Sequence, residues 1–501
     1  MLNDSILTLT TFIPAAGAVV VMLLPRRGRV IQWFALAVTL VVFGLSLHLV
    51  AHYLYGQPGF QYEVNRPWIS GLNIRYHVGV DGISLWLVVL SAFLAVIGVL
   101  VSWNAIADRT KEFYCFFLFQ QTAMIGVFVA LDVFLYYAFW EFTLVPMAVL
   151  IAMFGRDRGT QAALKFFLYT FLPSALFLGA ILWLYAKTGT FDFVQLQTTL
   201  AHDPSLFSPQ ALFWMSLAFL VAFAVKVPVF PLHGWLSDSF SEAPTAVAMV
   251  IAGKLGVYSI LRFNLGLFPA QARQVAPWMV ALGAIGILYG ALLALVQKDL
   301  KRLAAYGTLS SLSFCILGIF SFSITSVDGA VFQTINEGII GSSLLVLLGF
   351  LYERYATLEI DSYGGLATRM PNLATLFVIT SLALTGLPLL SGFVGEFLVL
   401  SGSFSAHAGW VWAAAVGMIL SASYMLGAIQ RVFYGNKSTL VSERSTLDMA
   451  FREHLAVWPM AILMLAMGVA SPFWMRAIDG AVTRLVRPAA MQSLPGVAER
   501  Q

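Results

Sequence analysis

The chain alternates long apolar stretches with short polar loops along nearly its whole length. An apolar stretch of about 20 residues is long enough to cross the hydrocarbon core of a membrane as an α-helix. The pattern therefore predicts an all-α polytopic membrane protein with about fourteen transmembrane helices. The predicted spans cover residues 5–25, 30–52, 82–103, 112–131, 133–154, 163–186, 211–230, 245–266, 277–297, 303–323, 327–351, 373–401, 408–430 and 454–476.

Two of these spans are interrupted by residues that break helices. Pro228 and Pro231 interrupt the seventh span, and Gly386, Pro388 and Gly392 interrupt the twelfth. Matching interruptions in two halves of a membrane protein are typical of inverted repeats that hold the functional site at the breaks. The predicted order is three N-terminal helices, two inverted five-helix repeats, and a cytoplasmic linker with the last helix and tail, at residues 1–111, 112–266, 277–430 and 431–501.

Composition supports a membrane location. Hydrophobic residues make up 60% of the chain and charged residues 10%, with a mean hydropathy of +0.85, whereas soluble domains carry about 25% charged residues. Even-numbered loops hold lysine or arginine at 66, 75, 187, 262 and 273. Odd-numbered loops hold them at 26, 27, 29, 109, 111, 156, 158, 165, 298, 301, 302, 354, 369, 431, 437, 444 and 452.

This asymmetry predicts the orientation of the chain in its membrane. Basic loops stay in the cytoplasm, so both termini are expected on the periplasmic side of a bacterial inner membrane. The net charge of +4 then follows from topology and gives no reason to expect a nucleic-acid partner.

Five ionisable residues lie inside the predicted spans. Glu141, Lys226, Lys254 and Glu396 lie deep, and Glu337 lies in the first half of its span. A charge at this depth costs about 2.5–3.5 kcal/mol on insertion scales, so such groups face the bundle interior or a water-filled cavity. We therefore interpret them as groups that handle protons or ions.

Glu141 and Lys226 form the first candidate pair. Pairing would lower the joint cost of burying the two charges, although a static ion pair that only fixes helix packing would have the same pattern. The proline two residues after Lys226 frees backbone carbonyls that can hold water or a charged amine. The alternative for Lys226 is a side chain that extends to the membrane interface.

The other candidates also allow two interpretations. Lys254 is surrounded by apolar and small residues, and a lysine in such surroundings can change its charge at working pH. His233 follows the break and could relay protons, or it could equally cap the broken helix or bond a carbonyl. Glu337 could carry protons, or it could lie near the membrane surface and cap a helix.

Polar side chains between the charged positions could carry a chain of water molecules. Each of them alone is typical of helix packing, but together with the charges they indicate a polar axis along the membrane plane. They are Ser310, Ser311, Ser313, Gln333, Thr334 and Asn336.

Nothing in the sequence predicts a cofactor. Cys115 and Cys315 lie in apolar spans, the histidines are scattered, and neither a metal-ligand spacing nor a glycine-rich phosphate loop occurs. Any redox centre that this chain serves is therefore expected in another subunit.

Five motifs resemble the NuoM family, the antiporter-like proton-pumping chain M of respiratory complex I (NADH:quinone oxidoreductase). They are HVGVDGISLWLVVL (77–90), FLYYAFWEFTLVPM (134–147), FAVKVPVFPLHGWLSDSFSEAPTA (223–246), QKDLKRLAAYGTLS (297–310) and GLPLLSGFVGEFL (386–398). The resemblance implies proton translocation with other membrane subunits as partners, including neighbouring antiporter-like subunits. It also implies that other subunits bind NADH and quinone.

The resemblance also implies roles for individual residues. Glu141 and Lys226 match the family's pair in spans five and seven, Lys254 its lysine in span eight, and Glu396 its glutamate in span twelve. The implied path runs from Lys226 to Lys254 and then towards Glu396. Sibling subunits and Mrp-type antiporters usually carry lysine at the last position, so Glu396 favours chain M.

The sequence departs from the family pattern at four places. Gln121 replaces a glutamate in span four, and Ser311 and Glu337 stand where the family has histidines. The segment from Pro244 to Lys254 is about three residues short, which is nearly one helical turn. We expect Glu337 to be the single titratable bridge between Lys254 and Glu396.

Two other functions fit the same pattern. One is a subunit of a related Mrp-type cation/proton antiporter or of a membrane-bound hydrogenase. The other is a structural membrane scaffold in which the buried charges serve only packing.

Overall fold

A computed structural model describes residues 2–26, 28–202, 206–251, 254–443 and 447–487 of the chain. The described part is mainly helical and contains one two-stranded sheet, β1 (Gln61–Ile69) and β2 (Ile74–Val80). Its helices are α1 (Leu2–Leu23), α2 (Gly28–Ala51), α3 (Ser84–Ala105), α4 (Thr110–Val129), α5 (Val133–Phe142), α6 (Leu144–Phe154), α7 (Gly159–Thr188), α8 (Phe193–His202), α9 (Pro209–Lys226), α10 (Leu236–Glu242), α11 (Thr245–Ile251), α12 (Lys254–Ser259), α13 (Pro269–Leu295), α14 (Leu300–Phe320), α15 (Ile324–Tyr355), α16 (Pro371–Leu384), α17 (Ser391–Phe433), α18 (Thr439–Glu443), α19 (Phe451–Val469) and α20 (Pro472–Val486).

The helices confirm the membrane class of the fold. Twelve described helical segments are long and apolar enough to cross a membrane, and α19 bends by 69° into α20 as a further candidate. The 43 residues of α17 would span about 65 Å, twice the hydrocarbon thickness. His407 has non-helical angles within α17, which divides it between the twelfth and thirteenth predicted spans. Each of the fourteen predicted windows thus meets a helix, while the count of membrane crossings stays a prediction.

Both predicted breaks are present. The seventh span stops as a helix at Lys226 and resumes at Leu236, and the twelfth stops at Leu384 and resumes at Ser391. The residues between are turns, because proline removes a backbone donor and Gly386 takes a positive φ of 72°. The inverted relation between the two halves stays a prediction.

The helices differ in how much of their surface other helices cover. All residues in the most apolar window of α15 are buried, and 94% in that of α14, against 33% for α2 and α7. α15 contacts α3, α11, α14, α16 and α17. Polar groups on α15 therefore lie in the protein interior, whereas α2 and α7 leave apolar side chains facing outwards, as lipid-facing helices do.

The mainly helical fold contains one element that is not helical. β1 and β2 form an antiparallel hairpin in the loop between α2 and α3, with Asn65 opposite His77 and Ile69 opposite Ile74. The strands are short and carry polar residues, so a search for apolar windows does not detect them. The hairpin is joined to the loop after α4, because the Leu131 amide donates to the His77 carbonyl at 2.8 Å.

Asp132 holds the tight turn between α4 and α5. Its Oδ1 accepts from the amides of Phe134 and Leu135 at 3.0 and 2.9 Å and so caps α5. Its Oδ2 accepts from the Arg75 amide of β2 at 3.0 Å. One buried carboxylate therefore fixes both the start of a span and the position of the hairpin; a cap of this kind contributes about 1 kcal/mol.

His77 connects the hairpin to the loop before α8. Its Nδ1 lies 2.6 Å from Asp192 Oδ2 and its Nε2 lies 2.8 Å from Glu63 Oε1. Burial acts to lower the pKa of His77, but the bonds and charges of Asp192 and then Glu63 outweigh it and raise that pKa. Burial likewise acts to raise the pKa of Asp192, but the bond and charge of His77 together with backbone amides of α8 outweigh it and lower that pKa.

These shifts predict how stability depends on pH. The raised pKa of His77 gives stability that is fully present below its usual 6.5 and is lost as pH rises through the folded value. The melting temperature of the assembled native protein should therefore fall as pH rises from 6.5 through the raised pKa of His77. In His77→Gln the fall should be absent, and in the control His202→Gln, at the exposed end of α8, it should persist. An unchanged pH dependence in His77→Gln would contradict this assignment.

Candidate functional site

Lys226 is the last residue of α9, and its side chain is 6% exposed. Its Nζ donates to Thr143 Oγ1 at 2.8 Å and lies 3.8 Å from the ring centroid of Trp140. The break also frees the Val225 carbonyl, which accepts from Trp235 Nε1 at 2.9 Å. The amine is thus held inside the protein by a hydroxyl and an aromatic face, so the interpretation of a side chain that extends to the membrane interface is wrong.

Glu141 lies at the end of α5, whereas Lys226 lies at the end of α9. It is half-buried and accepts a hydrogen bond from Ser174 on α7. Within the described ranges, no ion pair joins Glu141 to Lys226. The direct contact that we expected is not formed in this conformation, because Ser174 holds the carboxylate and Thr143 holds the amine.

Lys254 begins α12, and its side chain is 2% exposed. Its Nζ donates to the Met249 carbonyl of α11 at 3.3 Å, so a main-chain carbonyl provides its hydrogen bond. Beyond α12 the chain continues as a π-helix from Ile260 to Leu265. π-Helical turns are rare and are frequent at functional sites.

A close contact sets the distance between the two lysines. A Cβ atom on Gly256 of α12 would lie 2.7 Å from the Phe223 carbonyl oxygen and 2.7 Å from the Val227 amide nitrogen of the broken span. Only a glycine permits this approach. On the other side of α12, a Cβ atom on Gly338 would lie 3.0 Å from Lys254 Cε, so Lys254 also packs against α15.

Glu337 lies near the middle of the 32-residue helix α15, and its side chain is 2% exposed. Its Oε1 accepts from Thr308 Oγ1 of α14 at 2.7 Å. The alternative of a surface residue that caps a helix is therefore wrong. The carboxyl lies on the same central helix as Gly338, which Lys254 contacts.

Glu396 follows the break in the twelfth span and is 4% exposed. Its Oε1 accepts from Gln333 Nε2 at 3.4 Å, and the same amide donates to Ser311 Oγ at 3.0 Å. A Cβ atom on Gly386 would lie 2.9 Å from Glu396 Oε2. The break therefore makes room for the carboxylate.

The predicted water-wire residues divide into two groups. Gln333, Ser311 and Asn336 belong to one hydrogen-bonded cluster, in which Asn336 Nδ2 lies 3.2 Å from Gln333 Oε1 and also donates to the Ser391 carbonyl at 2.8 Å. The other members bond main-chain carbonyls of α13, α14 and α15: Ser310, Ser313 and Thr334. Only the first group extends the polar contacts to Glu396.

His233 lies between α9 and α10, in the turn after the break. Its ring is stacked with Phe230, with centroids 5.8 Å apart, and meets the edge of Tyr289 at 5.1 Å. In the part of the chain that the structure describes, its Nδ1 has no hydrogen-bond partner. The structure thus places His233 beside aromatic rings of α13 and the turn.

Sequence reasoning missed an ion pair and two glutamines. Arg262 Nη1 donates to Asp81 Oδ2 at 2.7 Å, and both side chains are buried. The loop pattern places Arg262 among the loop charges, although Asp81 within the VDGISL motif suggests a partner. Gln120 carries no sequence signal, and Gln121 carries only that of a replaced charge; both are buried on α4.

The arrangement can hold protons at separated points inside the protein. It contains two amines and two buried carboxyls, each with at least one polar contact, in the order Lys226, Lys254, Glu337 and Glu396. Hydroxyls and amides lie between them. Such an arrangement suits transfer of protons through the membrane interior.

Comparison with known proteins gives consistent matches. The family model described as "NADH:quinone oxidoreductase/Mrp antiporter, TM" matches residues 130–423. A Rhodobacter capsulatus protein named NADH-quinone oxidoreductase subunit M is 39% identical, covering 97% of this chain and 97% of its own length. The protein of the same name from Rickettsia prowazekii is 36% identical, covering 94% of this chain and 96% of its own.

Solved structures match over the whole fold. A chain of respiratory complex I from Thermus thermophilus superposes with a TM-score of 0.86 at 31% identity, covering 96% of this chain and 100% of that one. A chain of an Mrp complex from Dietzia superposes with a TM-score of 0.87 at 19% identity, covering 98% and 99%. The second likeness shows the fold alone.

The contact at Gly256 yields a prediction for stability. Gly256→Ala should lower the melting temperature of the assembled protein, because its Cβ would meet main-chain atoms and overpacking costs about 1–3 kcal/mol. Gly179→Ala on α7 is the matched control, since a Cβ there meets nothing within 4 Å and alanine favours a helix. Equal melting temperatures for the two variants would show that α12 does not need this approach.

Proposed function

Because the chain belongs to the NADH:quinone oxidoreductase/Mrp antiporter family, we propose that its buried amines and carboxyls form one proton path. The chain is a proton-translocating membrane subunit of NADH-quinone oxidoreductase, of the subunit M type, and acts with the other membrane subunits of that complex. The proposed path comprises Glu141, Lys226, Lys254, Glu337 and Glu396.

The observation that carries this proposal is the series of contacts from Lys254 to Glu396 through the buried centre of the fold. Lys254 packs against Gly338, the residue next to Glu337 on α15. From Glu337 the series continues along α14 and α15 through Ser311 and Gln333 to Glu396. A scaffold needs no such continuity, because isolated charges would suffice for packing.

Glu141 and Lys226 act as the control point of the proposed path. The present geometry is the separated arrangement, with Ser174 on the carboxylate and Thr143 on the amine. Closing the pair to about 4 Å would contribute roughly 4 kcal/mol at an effective dielectric of 20. An attraction of that size keeps the proton on Lys226, and separation lets it pass to Lys254.

Glu337 performs the work that two histidines perform in the family pattern. A carboxyl is neutral or anionic, whereas imidazole is neutral or cationic. An anionic Glu337 therefore attracts the proton from Lys254, and a protonated one passes it towards Glu396 through the Ser311–Gln333 contacts. Ser311 can relay through its hydroxyl but cannot hold a charge.

His233 and the orientation complete the proposal. His233 relays protons at the cytoplasmic side of Lys226, because it lies in the turn that leads to α10 and its Nδ1 is unpartnered among the described groups.

Both termini face the periplasm, as the basic loops indicate. Labelling of a cysteine introduced at an exposed terminal residue, from either side of sealed membranes, tests the orientation.

The role of Lys226 is tested by Lys226→Ala. NADH-driven proton pumping in vesicles should fall by about tenfold or more with the complex assembled, since a positioned proton carrier contributes roughly 10²–10⁴-fold. Lys187→Ala, at the exposed end of α7, is the control and should pump normally. Normal pumping in Lys226→Ala would refute the path, and loss of assembly would support a packing role.

The role of Glu337 is tested by Glu337→Gln. This change keeps the size and the bond to Thr308 but removes the titrating proton, so pumping should be lost in an assembled complex. Glu353→Gln is the matched control, because Glu353 lies near the exposed end of the same helix. If the two variants pump equally well, Glu337 is not a proton carrier.

A further inference from the structure

Gln120 is a buried glutamine whose amide no protein group satisfies among the described residues. Its side chain is 2% exposed on α4, and neither Nε2 nor Oε1 has a hydrogen-bond partner there. A buried polar group left in that condition destabilises the fold. A site of this kind calls for a ligand with both donor and acceptor capacity.

Two small cavities lie on either side of Gln120. One, of about 20 Å³, is lined by Lys226 and Thr143, and the other, also about 20 Å³, by Lys254 and Ser91. A cavity of roughly 10–15 Å³ on this measure holds one water molecule. Each cavity therefore has room for one, and each has polar partners for it.

The two cavities share three lining residues, Gln120, Met124 and Val250. Of these three only Gln120 has a polar side chain. It is therefore the one shared group that can bond a water molecule on the Lys226 side and another on the Lys254 side. An amide suits this position, because its oxygen accepts while its NH₂ group donates.

We propose that Gln120 is a positioning residue that holds one water molecule in each cavity and so connects Lys226 to Lys254. This inference rests on the proposed path and adds the element that bridges its two amines. Neither the contacts of Lys226 nor those of Lys254 join them directly, since their donors go to Thr143 and to the Met249 carbonyl.

The transfer balances without any further reactant. The ammonium of Lys226 gives one proton to the first water molecule, the two water molecules pass it on, and the neutral amine of Lys254 receives it. Lys226 ends as an amine and Lys254 as an ammonium. Gln120 makes and breaks no covalent bond, and it orients the water molecules by accepting and donating hydrogen bonds.

The experiment compares Gln120→Leu with Gln120→Ser in the assembled complex. Leucine fills the same space without hydrogen bonds, whereas serine leaves room for water and keeps a hydroxyl. If Gln120 positions water, the leucine variant should pump about tenfold more slowly than the native chain, and the serine variant should pump faster than the leucine variant. If Gln120 only fills space, the order reverses, because serine creates a cavity.

Three further measurements distinguish water positioning by Gln120 from a packing role. Pumping in Gln120→Leu should slow more in D₂O than it does in the native chain, a change that a packing defect does not produce. Gln32→Leu is the control, because Gln32 is also buried but donates to the Trp103 carbonyl at 2.7 Å, away from the path. Gln120→Met replaces the leucine variant if that one does not assemble, and the same order is required.

The outcomes separate this inference from the proposed function. Slow pumping in Lys226→Ala together with native rates in Gln120→Leu would overturn the role of Gln120 and leave the path standing. Native rates in Lys226→Ala would overturn the path itself. A leucine variant that outperforms the serine variant would also overturn the role of Gln120.

Discussion

The need to give each membrane-buried charge a polar partner organises this protein. An intact helix has no free carbonyls to offer, because all its main-chain groups bond one another. Lys226 lies where a helix ends, Glu396 lies shortly after a break, and Lys254 bonds the Met249 carbonyl. The break before Ser391 makes room for Glu396 at Gly386, and side chains of neighbouring helices provide the polar contacts of Lys226 and Glu396.

Glu337, unlike Lys226 and Glu396, lies away from both breaks. It lies in an unbroken helix, and side chains rather than main-chain carbonyls provide its contacts. Thr308 and Ser311 come from α14, which is itself almost wholly buried. The centre of the chain thus depends on side-chain hydrogen bonds between α14 and α15.

Much of the architecture follows from the sequence, because apolar length and proline or glycine breaks are local signals. The windows and the interruptions after Lys226 and before Ser391 were predictable. The hairpin was not, since its pairing brings together residues that a search for apolar windows treats as loop. The Arg262–Asp81 pair and the two glutamines of α4 were not, because their significance lies in which distant residues surround them, and no periodicity encodes that.

The contact at Gly256 has a mechanical consequence. Because Gly256 brings α12 against main-chain atoms of the broken span, sliding one segment along the other would force backbone atoms together. The backbone atoms that carry the two amines then keep a fixed separation. The parts left to move are the flexible four-carbon stems of the lysines, which change rotamer in picoseconds to nanoseconds, far faster than helices slide. The slow events of a working cycle would then lie outside this junction.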